Sequence, residues 1–64
     1  MVKINGEFLE KDGKTVSEML ADMDIKAQQV AVELNEEIVP KAKYSETVLK
    51  DGDKVEVVRF VGGG

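Results

Sequence analysis

One short amphipathic helix limits the folds that are open to this chain. Apolar residues recur at helical spacing in a single segment, at Val16, Met19, Leu20 and Met23. Thr15 and Glu18 match a capping box, in which each side chain accepts a hydrogen bond from a backbone N–H that the helix start leaves unpaired. A helix of about nine residues does not persist alone in water, so its apolar face must lie on a sheet. The methionines could instead line an adaptable groove for a partner, but no other segment can cover the strands.

A β-hairpin precedes this helix. Asn5-Gly6 separates two short strand-like segments, and it is the strongest sequence signal for a two-residue type I′ turn because both positions need φ > 0. The register that such a turn imposes puts Val2, Ile4 and Leu9 on one face. Phe8 falls on the opposite face, unless a bulge shifts it.

Two further strands follow the helix. Residues 29–35 alternate between apolar and polar side chains, which is typical of a half-buried strand. Ile38-Val39 predicts a very short strand that ends at Pro40, because proline has no N–H to donate to a neighbouring strand.

The C-terminal part contains an irregular crossing and a last strand. Residues 41–50 show no regular pattern, and we expect three apolar residues to hold them against the core, namely Tyr44, Val48 and Leu49. Asp51-Gly52-Asp53 predicts a turn, and residues 54–61 predict the final strand.

This order of elements predicts an α+β fold in which one mixed sheet carries one helix across a single face. The first and last strands can then pair in parallel at the centre of the sheet, which is the β-grasp arrangement. We predict one β-grasp domain over residues 1–61, followed by a flexible glycine tail over residues 62–64.

Composition excludes several classes of site. The 64 residues include no cysteine and no histidine, so the chain alone cannot build a disulfide, a zinc site or a thiol nucleophile, and we expect no bound metal or cofactor. A net charge of −4 with scattered lysines argues against a nucleic-acid surface. The N-terminal residues lack an apolar run of signal-peptide length, and no segment approaches a membrane span. We therefore expect a cytoplasmic monomer that binds neither nucleic acid nor membrane.

No pair of side chains suggests that the chain is itself an enzyme. The neighbouring acidic residues are interpreted as turn and surface carboxylates rather than as an acid/base pair; they are Glu36-Glu37, Asp22 with Asp24, and Asp51 with Asp53. We therefore predict no catalytic residue.

The final strand carries a candidate docking surface. If Val55 and Val57 face the helix, then Val58 and Phe60 face outward, and Arg59 lies on the helix side with its head in water. Exposed aliphatic and aromatic side chains beside an arginine have the composition of an interface anchor. Alternatively, Val58 and Phe60 are ordinary exposed residues, or they pack under residues 41–50.

Three glycines follow this strand, Gly62, Gly63 and Gly64. Three residues extend about 10 Å at most, enough to carry the Gly64 carboxylate into a narrow channel of another protein. Glycine lets the backbone pass where any Cβ would collide. Since a free carboxylate is a poor electrophile, a partner would have to activate it, for example as an acyl adenylate. The alternative is a disordered end without a role.

Four stretches form a recognisable set: Asn5-Gly6, residues 15–20, residues 30–41, and residues 49–58 leading to Gly63-Gly64. The third contains Asn35-Glu36-Glu37-Ile38-Val39-Pro40-Lys41, its most specific part. With this set the chain resembles the ThiS group of sulfur carrier proteins of thiamine biosynthesis, relatives of the molybdopterin-synthase small subunit and of ubiquitin. The resemblance covers essentially the whole chain and implies a ubiquitin-like β-grasp fold.

The resemblance also implies a cycle of partners. A ThiF-like adenylating enzyme uses ATP to activate the carboxylate of Gly64, and sulfur from a cysteine desulfurase converts it to a thiocarboxylate. That sulfur passes to a ThiG-like thiazole synthase. Gly63 and Gly64 match the family motif, whereas Gly62 is an additional glycine that many members lack.

Two other functions stay open at this point. The same terminus would serve a sulfur carrier for molybdopterin or for another pathway. It would also serve a ubiquitin-like modifier whose Gly64 is joined to lysines of other proteins. Genome context or the identity of the bound partner would separate these functions.

Overall fold

A computed structural model describes residues 1–60, which form a mixed sheet with one helix packed across one face. The sheet has the order β2-β1-β5-β3-β4, and β1 and β5 pair in parallel at its centre. The predicted β-grasp order is therefore confirmed. The strands and helix are β1 Val2–Ile4, β2 Glu7–Leu9, α1 Val16–Asp22, β3 Val30–Leu34, β4 Glu37–Ile38 and β5 Lys54–Arg59.

Residues 61–64 lie outside the described residues. The predicted domain boundary at residue 61 and the predicted flexible tail of Gly62, Gly63 and Gly64 therefore stay predictions. Among the residues that are described, no helix has the length and apolar character needed to cross a membrane.

The first hairpin forms as its turn sequence predicts. Asn5 and Gly6 adopt φ values of 49° and 85°, and the register places Val2 opposite Leu9 without a bulge. Val2 is buried, whereas Phe8 lies on the opposite face with 63% of its surface exposed. Local turn chemistry therefore fixes which side chains of the hairpin reach the core.

The helix start is a capping box. The Thr15 hydroxyl accepts a hydrogen bond from the Glu18 N–H at 3.1 Å, and the Glu18 carboxylate accepts one from the Thr15 N–H at 2.9 Å. Met19 and Leu20 are both buried against the sheet. The methionine at position 19 is therefore part of the core, and the groove alternative is wrong for it.

The core is one cluster of buried side chains between the helix and the sheet. The most buried members come from every part of the chain: Val2, Ile4, Val16, Met19, Leu20, Val30, Val32, Leu49 and Val55. Burying a large aliphatic side chain stabilises a fold by about 1.5–3 kcal/mol. Because a domain this small buries few side chains, each of them contributes a large part of the stability.

Residues 41–50, which connect β4 to β5, contact the core through fewer side chains than predicted. Tyr44 and Leu49 are buried as expected, but Val48 is 47% exposed, so the prediction that it contacts the core is wrong. Residues 47–49 run extended beside the helix start, where Thr15 pairs with Val48 and the Leu49 N–H donates to the Lys14 carbonyl at 2.8 Å. Adjacent side chains of an extended segment point to opposite sides, so burial of Leu49 turns Val48 outward.

The short strand β4 is shifted by one residue from the predicted Ile38-Val39. It spans Glu37–Ile38 at the sheet edge, and Ile38 is 70% exposed whereas Val39 is buried. The Val39 N–H still donates to the Val32 carbonyl at 2.9 Å, and Pro40 follows directly. The predicted end of pairing at the proline is therefore confirmed.

An ion-pair cluster at the end of the helix gives the fold a predictable response to acid. The Asp22 carboxylate lies 2.7 Å from the Lys14 Nζ and 3.4 Å from the Lys11 Nζ. The hydrogen bond from Lys14, followed by that from Lys11, lowers the pKa of Asp22 below its ordinary value of 3.8. A carboxylate with a lowered folded-state pKa stabilises the fold above its unfolded-state pKa, and this contribution is lost as the pH falls through the folded-state pKa.

We expect Asp22→Asn to remove that acid-sensitive part of the free energy of unfolding. Urea unfolding as a function of pH should show a flatter profile on the acid side of pH 3.8 for this variant than for the parent chain. Asp24→Asn is the matched control, because Asp24 forms no ion pair among residues 1–60. Equal flattening by both substitutions would contradict the role of the Lys14 contact.

Candidate functional site

The candidate site is built on β5, the central strand of the sheet. β1 pairs with β5 on one side and β3 pairs with it along five residues on the other. Both neighbours hold the strand through backbone hydrogen bonds, so the site stands on a rigid element. Residue 60, the last one described, follows β5 at the end of the sheet where β3 begins.

Two asparagines brace β5 through its backbone. The Asn5 amide accepts a hydrogen bond from the Val57 N–H at 2.8 Å and donates to the Val57 carbonyl at 3.3 Å. The side-chain oxygen Oδ1 of Asn35 accepts a hydrogen bond from the Lys54 N–H at 2.9 Å. Asn5 and Asn35 both have positive φ, which asparagine tolerates better than most residues. These two side chains extend the pairing of β5 beyond the ends of its neighbours.

Side chains of β5 alternate as the sequence predicts. Val55 is fully buried, and Val57 packs against the core. Val58 and Phe60 lie on the face opposite the helix with 56% and 51% of their surfaces exposed. We call this pair the open-face patch. Their outward orientation is confirmed, and the alternative that residues 41–50 bury them is wrong, whereas their docking role stays a prediction.

Phe60 is nevertheless held in place by two contacts. Its N–H donates to the Gln29 carbonyl at 3.0 Å, which continues the β3–β5 pairing past the end of the strand. The Lys41 Nζ lies 5.1 Å from the centre of the Phe60 ring and donates to the Gln28 carbonyl at 3.2 Å. A cation at this distance from an aromatic face is attracted to it. Phe60, which directly precedes the C-terminal segment of residues 61–64 in the sequence, therefore has a defined position.

Arg59 lies on the helix side of the sheet, as predicted, and is exposed. It lines an open groove of about 510 Å³ together with Lys26 and Gln29, and the apolar part of that groove comes from Ala21 in the helix and Ile25 after it. The open-face patch and this groove therefore flank the end of β5 on its two sides.

The rest of the face opposite the helix carries both charged and apolar side chains. Glu33 pairs with Glu56 on β5 and with Ile38 on β4, so two carboxylates and an exposed isoleucine form one row across the sheet. Phe8 lies at the opposite edge, beside Lys3, whose Nζ is 5.6 Å from its ring centre. Charged residues thus separate Phe8 from the open-face patch.

The acidic residues that were interpreted as surface carboxylates are all exposed or half-exposed. Asp22 pairs with lysines, Asp51 with the Met1 amino group, and Asp53 accepts a hydrogen bond from the Lys50 N–H at 2.9 Å. No group of three metal-ligating side chains occurs within residues 1–60. Asp22, Asp51 and Asp53 therefore have structural partners in the fold.

Comparison with known proteins identifies the family. The family model described as the ThiS family matches residues 2–64. The chain belongs to the ThiS family. The sulfur carrier protein ThiS of Bacillus subtilis is 41% identical to it over 66 aligned residues, and the match covers all of both chains. The crystal structure of a thiamine biosynthesis protein (ThiS) from Geobacter metallireducens superposes with a TM-score of 0.81 at 34% identity, covering 98% of this chain and 97% of that one.

A longer protein contains a segment of the same ThiS type. A thiazole synthase of Paramagnetospirillum magneticum is 45% identical over 62 residues, which is 95% of this chain and 19% of that protein. The ThiS match confirms both the resemblance predicted from the sequence and the β-grasp fold of this family. Gly62, Gly63 and Gly64 fall within the family match but outside the described residues, so their predicted roles stay predictions.

Three features of the site were missed from the sequence. The bracing role of Asn5 and Asn35 and the contact of Lys41 with Phe60 join residues that are far apart in the chain. Asn5, Asn35 and Lys41 all lie within stretches that carry the ThiS resemblance. The signal was therefore present, although its physical reason depends on the folded sheet.

Proposed function

We propose that this chain carries sulfur on the terminal carboxylate of Gly64 and delivers it for formation of the thiazole ring of thiamine. As a ThiS protein it is a sulfur carrier rather than a catalyst. The full-length match to the Bacillus subtilis carrier is the observation on which this proposal chiefly depends, because it includes both the folded body and the final glycines.

The proposed chemistry divides one hard substitution into two easier steps. A ThiF-like partner binds ATP, and an oxygen of the Gly64 carboxylate attacks the α-phosphorus while pyrophosphate leaves. The resulting acyl adenylate has AMP as a good leaving group. The terminal sulfur of a persulfide, derived through a cysteine desulfurase, then replaces AMP at the carbonyl carbon to give an acyl disulfide. A thiol reductant cleaves its S–S bond, which leaves the thiocarboxylate on Gly64 and a disulfide on the donor side. The partners supply the catalytic groups, and this chain supplies the carboxylate.

The folded body contributes docking and position. Val58 and Phe60 offer apolar surface next to the C-terminal segment, and Arg59 lies beside them on the other side of the strand. Because β5 is braced on both sides, a partner that binds this surface receives the following residues from a fixed starting point. Gly62, Gly63 and Gly64 would then pass into a channel too narrow for side chains.

Thiazole synthase is the proposed recipient of the sulfur. The Paramagnetospirillum magneticum protein, which is named thiazole synthase, contains a ThiS-like segment that makes up 19% of its length. Joining two modules raises their effective concentration for each other, which is useful where they act together. This juxtaposition favours a ThiG-like partner over a molybdopterin-synthase large subunit.

Affinity capture tests this choice of pathway. The thiocarboxylate form of this chain should retain a thiazole synthase and not a molybdopterin-synthase large subunit when both are offered at equal concentration. Preferential capture of the molybdopterin-synthase subunit would contradict the pathway. Isopeptide-linked adducts between Gly64 and lysines of extract proteins would instead identify a modifier.

We expect Phe60→Ala to weaken binding to the adenylating partner about tenfold, or ~1.4 kcal/mol, because it removes the largest exposed side chain beside the C-terminal segment. The free energy of unfolding should change little, since the ring is half exposed. Val58→Asp should have a similar effect through an unpaired charge in the interface. Isothermal titration calorimetry measures the affinity.

Phe8→Ala is the matched control for Phe60→Ala. Phe8 is an exposed phenylalanine on the same face with a lysine near its ring, but it lies on the edge strand β2. Its removal should leave the affinity within about twofold of the parent value. Equal losses for both substitutions would show that the open-face patch has no special role.

A further inference from the structure

Charge is unevenly distributed between the two ends of β5. The chain is acidic overall, with a net charge of −4. Four acidic residues collect at the start of β5, where the turn before this strand lies beside the turn between β3 and β4; they are Asp51, Asp53, Glu36 and Glu37, and Lys50 and Lys54 lie among them. The other end of β5, from which the C-terminal segment continues, carries three cations.

These cations form what we call the basic rim: Lys26, Lys41 and Arg59. Arg59 is the last residue of β5, and Lys26 lines the same groove as Arg59. Lys41 reaches the same place from the opposite side, since its Nζ donates to the Gln28 carbonyl and lies over the Phe60 ring. The rim therefore lies on both sides of the final described residue.

All three side chains are available to a partner. Each of the three residues is exposed, and none forms an ion pair with a carboxylate among residues 1–60. In contrast, Lys11 and Lys14 are paired with Asp22. Asp24 is the acidic residue that lines the groove of Lys26 and Arg59. The residues that line this groove therefore carry two positive charges and one negative charge.

Backbone hydrogen bonds fix the positions from which the side chains at this end of β5 project. The Gln29 N–H donates to the Lys26 carbonyl at 3.0 Å, and the Gln29 carbonyl accepts from the Phe60 N–H at 3.0 Å. The short turn Ala27–Gln29 thus links the backbone that carries Lys26 to the end of β5. Charges that project from a linked backbone favour one docking orientation over charges carried on a loose segment.

We propose that the basic rim docks against carboxylate side chains around the channel of the partner that activates Gly64. This inference depends on the proposed function, since it assigns a chemistry to the surface of that partner. Three localised cations in an acidic chain suit a few aspartate or glutamate side chains. A nucleic acid or an anionic membrane would be repelled by the overall negative charge. Exposed charge pairs accelerate association and still allow release of the product.

Charge reversal tests the rim. The variant K26E/R59E reverses two rim charges, and the control K50E/K54E reverses two exposed lysines near the start of β5. Both variants carry a net charge of −8 in place of −4, because each replacement changes the charge by two. Lys41 is left intact, because its substitution would also disturb Phe60. Circular dichroism verifies that both variants are folded.

Binding to the adenylating enzyme should be measured with chains that lack Gly64, so that docking is separated from chemistry. At low ionic strength we expect K26E/R59E to bind about tenfold more weakly than the parent chain, and K50E/K54E to stay within about threefold. The difference should shrink as salt is added, since exposed charges are screened. Equal weakening by both variants, or a difference that salt leaves unchanged, would overturn the proposal.

Failure of the basic-rim proposal can be distinguished from failure of the proposed function. If the full chain binds the enzyme but is never adenylated, the proposed chemistry is wrong, while the comparison of K26E/R59E with K50E/K54E still decides the rim. If the parent chain shows no binding at all, the docking proposal is overturned as well.

Discussion

Deleting Gly64 is expected to abolish formation of the thiocarboxylate while leaving the fold unchanged. The shortened chain still ends in a glycine carboxylate, but that group is drawn back by about 3.5 Å. Attack on ATP needs reacting atoms about 3–3.5 Å apart, so a displacement of this size removes productive geometry. The buried core lies within residues 2–55, which is why we expect an unchanged thermal unfolding midpoint.

Two further chains separate the position of the terminal carboxylate from its chemical role. A chain of full length with an amidated Gly64 keeps the position of the terminus but lacks the carboxylate, and it too should be inactive. A chain with one added residue after Gly64 moves the carboxylate forward and should be inactive for the same reason as the deletion. ATP–pyrophosphate exchange with the adenylating enzyme measures the first step directly. Undiminished exchange by the amidated chain would contradict a role for the carboxylate.

Leu49→Ala should destabilise the fold far more than any of the surface substitutions. Leu49 is fully buried, and truncation of a buried leucine costs about 2–5 kcal/mol. A domain of this size without disulfides has a total stability of roughly 3–5 kcal/mol, so a large share of the molecules should be unfolded at room temperature. The free energy of unfolding from urea titration provides the measurement.

Val48→Ala is the neighbouring control for this substitution. Val48 is 47% exposed, and its truncation should change the free energy of unfolding by no more than about 0.5 kcal/mol. A comparable loss for both variants would show that the extended segment beside the helix start buries the two side chains alike. The comparison therefore tests which residue anchors the crossing.

Elements with local signals were predicted well. The Asn5-Gly6 turn fixes its own φ values and hence the register of the hairpin, and Thr15 and Glu18 satisfy each other within one turn of helix. Alternation along β5 likewise predicts which side chains face outward. In each case the determining interactions lie within a few residues of one another.

The β-grasp order followed from the order of the elements, but side-chain contacts between distant segments were not predicted. Burial of Leu49 rather than Val48 is decided by pairing of residues 47–49 with the helix start, for which the sequence around them has no periodic signal. The basic rim combines cations that are far apart in the sequence, so the sequence shows only scattered lysines. The fold places Lys26 and Lys41 together at the end of β5.

The central claim is that Gly64 holds the transferred sulfur, and intact-protein mass spectrometry tests it most directly. The full chain is incubated with the adenylating enzyme, ATP and a sulfur donor, and fragmentation then locates any change in mass. We expect a gain equal to the replacement of one oxygen by one sulfur, confined to Gly64. No gain with an enzyme that converts its own cognate carrier, or a gain located on another residue, would contradict the proposed function.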